Sequence, residues 1–229
     1  MEYTVEDIVK ELGKLGNKSQ EIRNKIPVEM KKGDARHVCL SGIQTVIEPL
    51  MLSYGAIECS NQCINSIELS RVCGIKNRTN KEILDNFDTW AKLTLLVLVH
   101  FRIESLFSNL VVAIDASYKE KKFNVITDDL FKKITILDVE TKKNCLKVLS
   151  MVRNSLHNNS INKNGDFSAV INGREFKFFN NKPTTATIFD LIFLIDYTLD
   201  ILKEVIESPE ISKFNTSIPD LFHVELENR

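Results

Sequence analysis

The sequence predicts an all-α fold, an α-helical bundle carrying one small inserted β-hairpin at about 167–179. Three observations carry this. Apolar residues recur at three- and four-residue spacing through most of the chain, the period of a helix with one buried face. Glycine and proline are scarce, 8 and 5 among 229 residues, fewer than a turn-rich β-sandwich carries. One segment alternates with a period of two, and an Asn-Gly pair divides it.

The elements follow in order. Thr4-Val-Glu-Asp opens a helix whose apolar stripe is Ile8, Leu12 and Leu15, continued by Ile22 and Ile26; Pro27 and Gly33 interrupt it. A second pattern runs from about Asp34 to Tyr54 through Val38, Leu40, Ile43, Val46, Ile47 and Leu50. Pro49 is expected to kink or split it, and Gly55 to break it before a further helix from Ile57 to Val72. Thr79-Asn-Lys-Glu82 is a capping box, which opens the strongest helix, about Asn80 to Tyr118. Leu93 to Val99 is apolar all round, so this helix is expected to run through the centre. Thr127 is expected to start a short helix reaching about Ile134, and another runs from about Asp138 to Asn158. Asn172-Gly173 sets a hairpin register that pairs Ile171 with Arg174, Ala169 with Phe176 and Phe167 with Phe178. Such a hairpin must dock on the helices, because it is marginal alone. Thr187 to Ser208 is the last long helix, ended by Pro209.

The organisation expected is a single helical domain over 1–229. Helices in about 1–75 pack on the core, about 79–208 forms the bundle with its hairpin, and 209–229 is a tail with a short helix near Leu221. Thirty basic residues against 31 acidic ones give a net charge of -1. That excludes nucleic-acid binding through bulk positive charge, so any such site must be a local cluster. The acidic, amphipathic start lacks the order of a signal peptide, and the run Leu93–Val99 falls short of the roughly 20 residues of a membrane span. The expectation is a cytoplasmic protein that does not enter a membrane, with its five cysteines reduced. Cys59-x3-Cys63 with Cys73 has a hint of zinc spacing, but four-residue spacing equally places two thiols on one helix face. No metal and no cofactor is expected. There is no phosphate-cradling glycine loop, nucleophile elbow or His-Glu-x-x-His.

The stretch that does not read as packing is Arg153-Asn154-Ser-Leu-His157-Asn158. Arg153 and His157, four apart, share a helix face. One is a permanent cation suited to phosphate, the other the side chain best able to exchange protons near neutrality. The same residues also read as a polar helix end that satisfies terminal carbonyls. A second polar cluster, His100-Phe-Arg102-Ile-Glu104, lies on the central helix, and Arg153 is the expected partner of Glu104. Lys31-Lys32, Lys119 to Lys122 and Lys142-Lys143 read first as solvated surface and second as phosphate contacts.

A central helix, a helix ending in Arg153-Asn154-x-x-His157, an insertion and a closing helix together resemble the HEPN superfamily over Asn80 to Ser208. Its members are all-α bundles that include toxin–antitoxin, abortive-infection and CRISPR-associated ribonucleases. The family motif places four to six residues between Arg and His. Here there are three, Asn154, Ser155 and Leu156, which rotates His157 by about 100° relative to the commonest spacing.

The resemblance implies a metal-independent endoribonuclease of prokaryotic defence or stress response. His157 would exchange the proton, Arg153 would stabilise the scissile phosphate, and Asn154 and Glu104 would orient them. Asn158, Arg102 and His100 are candidate substrate contacts. It also implies RNA as partner, a homodimer in which two motifs meet, and an antitoxin or other protein partner. The alternative is a non-catalytic HEPN-like dimerisation or partner-binding module in which Arg153, His157 and Glu104 form a structural polar network.

Overall fold

The computed structural model describes residues 4–27, 33–63, 79–158, 160–184 and 186–221; the side chains of 59–63, 80 and 157 lie outside that description. Seven helices and one two-stranded sheet are found among the described residues. They are α1 (Val5–Asn24), α2 (Ala35–Cys63), α3 (Asn80–Ile114), α4 (Phe123–Lys133), α5 (Val139–His157), β1 (Phe167–Ile171), β2 (Arg174–Phe178), α6 (Ile188–Glu207) and α7 (Pro209–Ser212). The architecture is the all-α bundle with an inserted hairpin that the periodicity predicts.

Three helices start on complete capping boxes. Thr4, Thr79 and Thr187 each accept from the backbone N–H three residues on, while Asp7, Glu82 and Asp190 accept in return from the cap residue's N–H. Each box satisfies two amides that a helix start leaves without partners. The apolar stripes then turn inward. Leu12 and Leu15 of α1, Leu40, Ile43 and Ile47 of α2, and Ile103, Phe107 and Leu110 of α3 are almost fully buried. So are Leu146 and Leu149 of α5 and Ile195, Leu199 and Leu202 of α6. All belong to one continuous core. Helix α1 packs on α2 and α6, α2 on α3, and α3 also meets α4, α5 and α6.

Several boundaries differ from the sequence expectation, each for a local reason. Helix α2 is not broken at Gly55 or split at Pro49; it runs through both to Cys63. Proline withholds the N–H that would bond the carbonyl four residues back, but Thr45 and Pro49 are both exposed, so water can solvate that carbonyl. Residues 64–72 of the helix expected at 57–72 lie outside the described residues, as do 222–229. Helix α3 stops at Ile114, not Tyr118, because Asp115 leaves the helical conformation and accepts from the backbone N–H and hydroxyl of Ser117. Helix α4 starts four residues before Thr127. Thr127 is therefore no cap: it is buried and donates to the Phe123 carbonyl.

The central helix is also less enclosed than its composition suggests. Leu95, Leu96 and Val99 are buried, yet Trp90, Leu93, Leu98 and Phe101 are exposed at 52%, 38%, 44% and 39%. By length and composition α3 could cross a membrane, but 56% of its apolar window is buried inside the protein, as in the core helix of a soluble protein.

The hairpin has the expected register: Phe167 pairs with Phe178, Ala169 with Phe176 and Ile171 with Arg174. Asn172 and Gly173 both take positive φ, 46° and 79°, as the two-residue turn requires. Ala169, Ile171, Phe176 and Phe178 form the buried face. Docking is reinforced from both sides. The Lys147 ammonium of α5 lies 3.9 Å from the Phe167 ring centroid, and Arg174 pairs with Asp190 of α6 while covering the Phe193 ring.

The tail is held by a buried knot. Asp34 accepts from the Arg36 guanidinium at 3.0 and 2.8 Å, from the Arg36 N–H and from the Ile218 N–H. Asp220 accepts from Asn109 of α3.

Candidate functional site

The insertion between α5 and α6 fastens the last turn of α5. The Ser155 hydroxyl donates to the Met151 carbonyl and accepts from Thr184, and Asn158 donates through its amide to the Asn154 carbonyl. Asn162, fully buried, ties the loop to itself through Gly165, Asn164 and Lys182. The end of α5 is thus tied to the insertion through Ser155, with the helix's apolar side (Cys145, Leu149, Val152) in the core.

The opposite side of α5 faces a solvent-open cleft of about 710 Å³ between α3, α4 and α5. His100 and Glu104 come from α3, Phe123, Asn124 and Thr127 from α4, and Ser150, Arg153 and Asn154 from α5. The rim is basic. Lys121, Lys122, Lys143 and Lys147 line it together with Arg153, against Glu104, Asp128 and Glu140. Asp128 is ion-paired to Lys143 at 2.7 Å.

Of the seven residues singled out in the sequence, the structure brings together four here: Arg153, Asn154, Glu104 and His100. The helix ends at His157, but its side chain lies outside the described residues, as do Lys31 and Lys32. Arg102 belongs elsewhere. It projects from α3 toward α2, so close over Gly42 that a Cβ there would collide with its Nε. Asn158 turns back to close the helix end. The expected Glu104–Arg153 ion pair does not form; Arg153 instead reaches the Asn154 side-chain oxygen at 3.5 Å. No charge pair therefore joins Glu104 of α3 to Arg153 of α5, and Arg153 is half-buried where it lines the cleft.

His100 is the most buried polar group of the site, 1% exposed. Its Nε2 lies 2.9 Å from the Ser150 hydroxyl, which donates to the Leu146 carbonyl. The hydroxyl then accepts from His100 Nε2–H, and Nδ1 carries a lone pair. That Nδ1 has no hydrogen-bond partner and faces a Glu104 carboxylate oxygen at 3.7 Å. A carboxylate this near would favour an imidazolium. Burial, followed by the Arg153 charge, outweighs it and lowers the His100 pKa to about 3. His100 is therefore neutral at physiological pH, and its contact with Glu104 is not an ion pair. The Phe123 ring packs beside it, centroids 4.7 Å apart.

The sequence reading missed the contribution of α4 and of Lys147 on α5, while it named Lys121, Lys122 and Lys143 as second-choice phosphate contacts. Yet Lys143, Lys147, Ser150 and Asn154 follow helical spacing along one face, the polar complement of the apolar stripe. That stripe is the signal that could have found them. Lys142, its neighbour in the sequence cluster, points away and pairs with Glu204 of α6 at 2.6 Å. Elsewhere, burial pushes the Cys39 and Cys145 thiols up to about 12, so neither is a nucleophile. No group of three or more metal-ligating side chains occurs among the described residues, outside which the side chains of Cys59, Cys63 and Cys73 lie.

No family model matches this chain, and neither curated proteins nor solved structures give a match to it.

Proposed function

We propose that this chain is a HEPN-like, metal-independent endoribonuclease of prokaryotic defence or stress response, acting in the cytoplasm on RNA held in the cleft between α3, α4 and α5. The observation that carries the reading is the placement of Arg153. It stands half-exposed in an open cleft rimmed by lysines, with no ion pair to Glu104 to seal it.

In the proposed reaction the ribose 2′-oxygen attacks phosphorus and the bond from phosphorus to the 5′-oxygen breaks. A base takes the 2′-hydroxyl proton and an acid supplies one to the departing 5′-oxygen, leaving a 2′,3′-cyclic phosphate and a 5′-hydroxyl. RNA thus provides its own nucleophile. Arg153 stabilises the charge that builds on the phosphoryl oxygens, and Asn154 beside it orients the guanidinium. His157, at the end of α5, is assigned the proton exchange. His100 is not suited to it, since it stays neutral down to about pH 3. A homodimer that brings two motifs together, and an antitoxin or other protein that restrains them, complete the proposal.

The test is cleavage of total RNA in EDTA by wild type and by the Arg153→Ala/His157→Ala double variant. Cleavage by wild type alone, giving cyclic phosphate ends, with unchanged circular dichroism, is the expected result. Equal cleavage by the variant overturns the assignment of the motif.

One observation favours the second reading, a non-catalytic partner-binding module. Trp90, Leu93 and Leu98 of α3 and Leu52 of α2 expose large apolar side chains, as interaction surfaces do. Folded protein that leaves RNA intact but captures a partner through these residues would establish it.

A further inference from the structure

The cleft lining is cationic on balance, but less so beside Glu104. Asp128 is neutralised by Lys143, and Glu140 lies in the first turn of α5, where a helix dipole favours a carboxylate. Glu104 has neither. Its one charged-group contact among the described residues is His100, and that ring is neutral. Behind it, His100 Nδ1 is a second acceptor, buried, unpartnered and turned toward Glu104. A buried acceptor without a donor is uncommon in folded proteins, and here two acceptors face each other with no hydrogen bond between them.

A phosphate brought beside Glu104 would meet a carboxylate. What fits there is the part of a nucleotide that carries donors. Among the four RNA bases, guanine alone has two adjacent donors on its Watson–Crick edge, the ring N1–H and the exocyclic amine, and a carboxylate accepts both with its two oxygens. The cleft, about 710 Å³, is within the range of small-ligand sites. The half-buried Phe123 ring, packed against His100 and Phe107, also lines it and adds apolar surface for a base.

We propose that Glu104 is a specificity residue that reads guanine, its carboxylate accepting from the base while Arg153 and the rim lysines hold the flanking phosphates. This deepens, and rests on, the reading of the cleft as an RNA site.

The experiment is fluorescence anisotropy of the full chain with short 2′-fluoro RNAs, which lack the attacking hydroxyl. The probes are an all-adenine strand and the same strand with one central guanine or one central inosine, which lacks the exocyclic amine. The guanine strand is expected to bind about tenfold more tightly than the adenine strand, with inosine between them. Glu104→Gln should abolish that preference while binding adenine at least as tightly, since a negative charge has gone. Lys143→Ala/Lys147→Ala should weaken all three strands alike. Wild-type binding that is blind to the base, or a preference that survives Glu104→Gln, overturns the guanine assignment and leaves the RNA cleft standing. No binding of any strand overturns both.

Discussion

Replacing His100 with glutamine should change how stability depends on pH. The wild-type ring is enclosed by Phe123 of α4, Ser150 of α5 and its own helix, with the Arg153 cation on one side and the Glu104 carboxylate 3.7 Å away on another. Burial and Arg153 together lower its pKa from 6.5 to about 3. Between these values the unfolded chain takes up a proton that the folded ring refuses. Stability therefore rises with pH across this window and is lost as pH falls below 6.5 toward 3. The slope from this one group approaches about 1.4 kcal/mol per pH unit, so lowering pH from 6.5 by about two units should cost the wild type roughly 2–3 kcal/mol. Glutamine has the reach to donate to Ser150 but does not titrate. The variant's constant offset is irrelevant; what matters is the difference between the two proteins as pH changes. Urea unfolding followed by circular dichroism, at several pH values in that window, measures it. Parallel pH profiles for wild type and His100→Gln would refute the reasoning, for they would mean that Glu104 outweighs burial and that the folded ring protonates normally.

Two further substitutions test how the helices are fitted together. Gly42→Ala drives a Cβ into the Arg102 Nε and to 2.7 Å from its Cδ, so the arginine must be displaced. It should destabilise wild type by roughly 1–2 kcal/mol but stabilise an Arg102→Ala background by about 0.5–1 kcal/mol, since alanine is the better helix former; a thermal-denaturation double-mutant cycle reads both signs. Asp34→Ala leaves the buried Arg36 without its carboxylate and Ile218 without its acceptor. A loss of about 3–5 kcal/mol is expected, with faster hydrogen exchange at the Ile218 and Asp220 amides, where an unchanged rate would argue against the knot as the anchor of the tail.

Local chemistry was sufficient for much of the fold. Thr79 and Glu82 mark a helix start because they satisfy each other's backbone amides within four residues, and no distant partner is needed. Asn172-Gly173 determines the hairpin register because two positive-φ positions are affordable only there, and the pleat then places Ala169 and Phe176 on one face. The fate of Pro49 and Gly55 was not legible. Each weakens a helix locally, but α2 is held by packing along α1 and α3, and propensity yields to burial.

The candidate site divides along the same line. Sequence alone marked out Arg153, Asn154, His100 and Glu104 as residue types capable of phosphate and proton chemistry, and spacing placed each pair on a helix. Which of them meet depended on the angle at which α3, α4 and α5 pack. The tertiary structure sends Arg102 to Gly42, keeps Glu104 from pairing with Arg153, and brings Lys121 and Lys122, just before α4, together with Lys143 and Lys147 of α5 around the cleft. It also decides that His100 is neutral, because a pKa reflects the solvent removed from a group and the charges around it, and neither is a property of the residue's neighbours in sequence. Helix starts, stripes and turns are short-range and were written in the chain; charge state and convergence are long-range, and arise only when the helices close on one another.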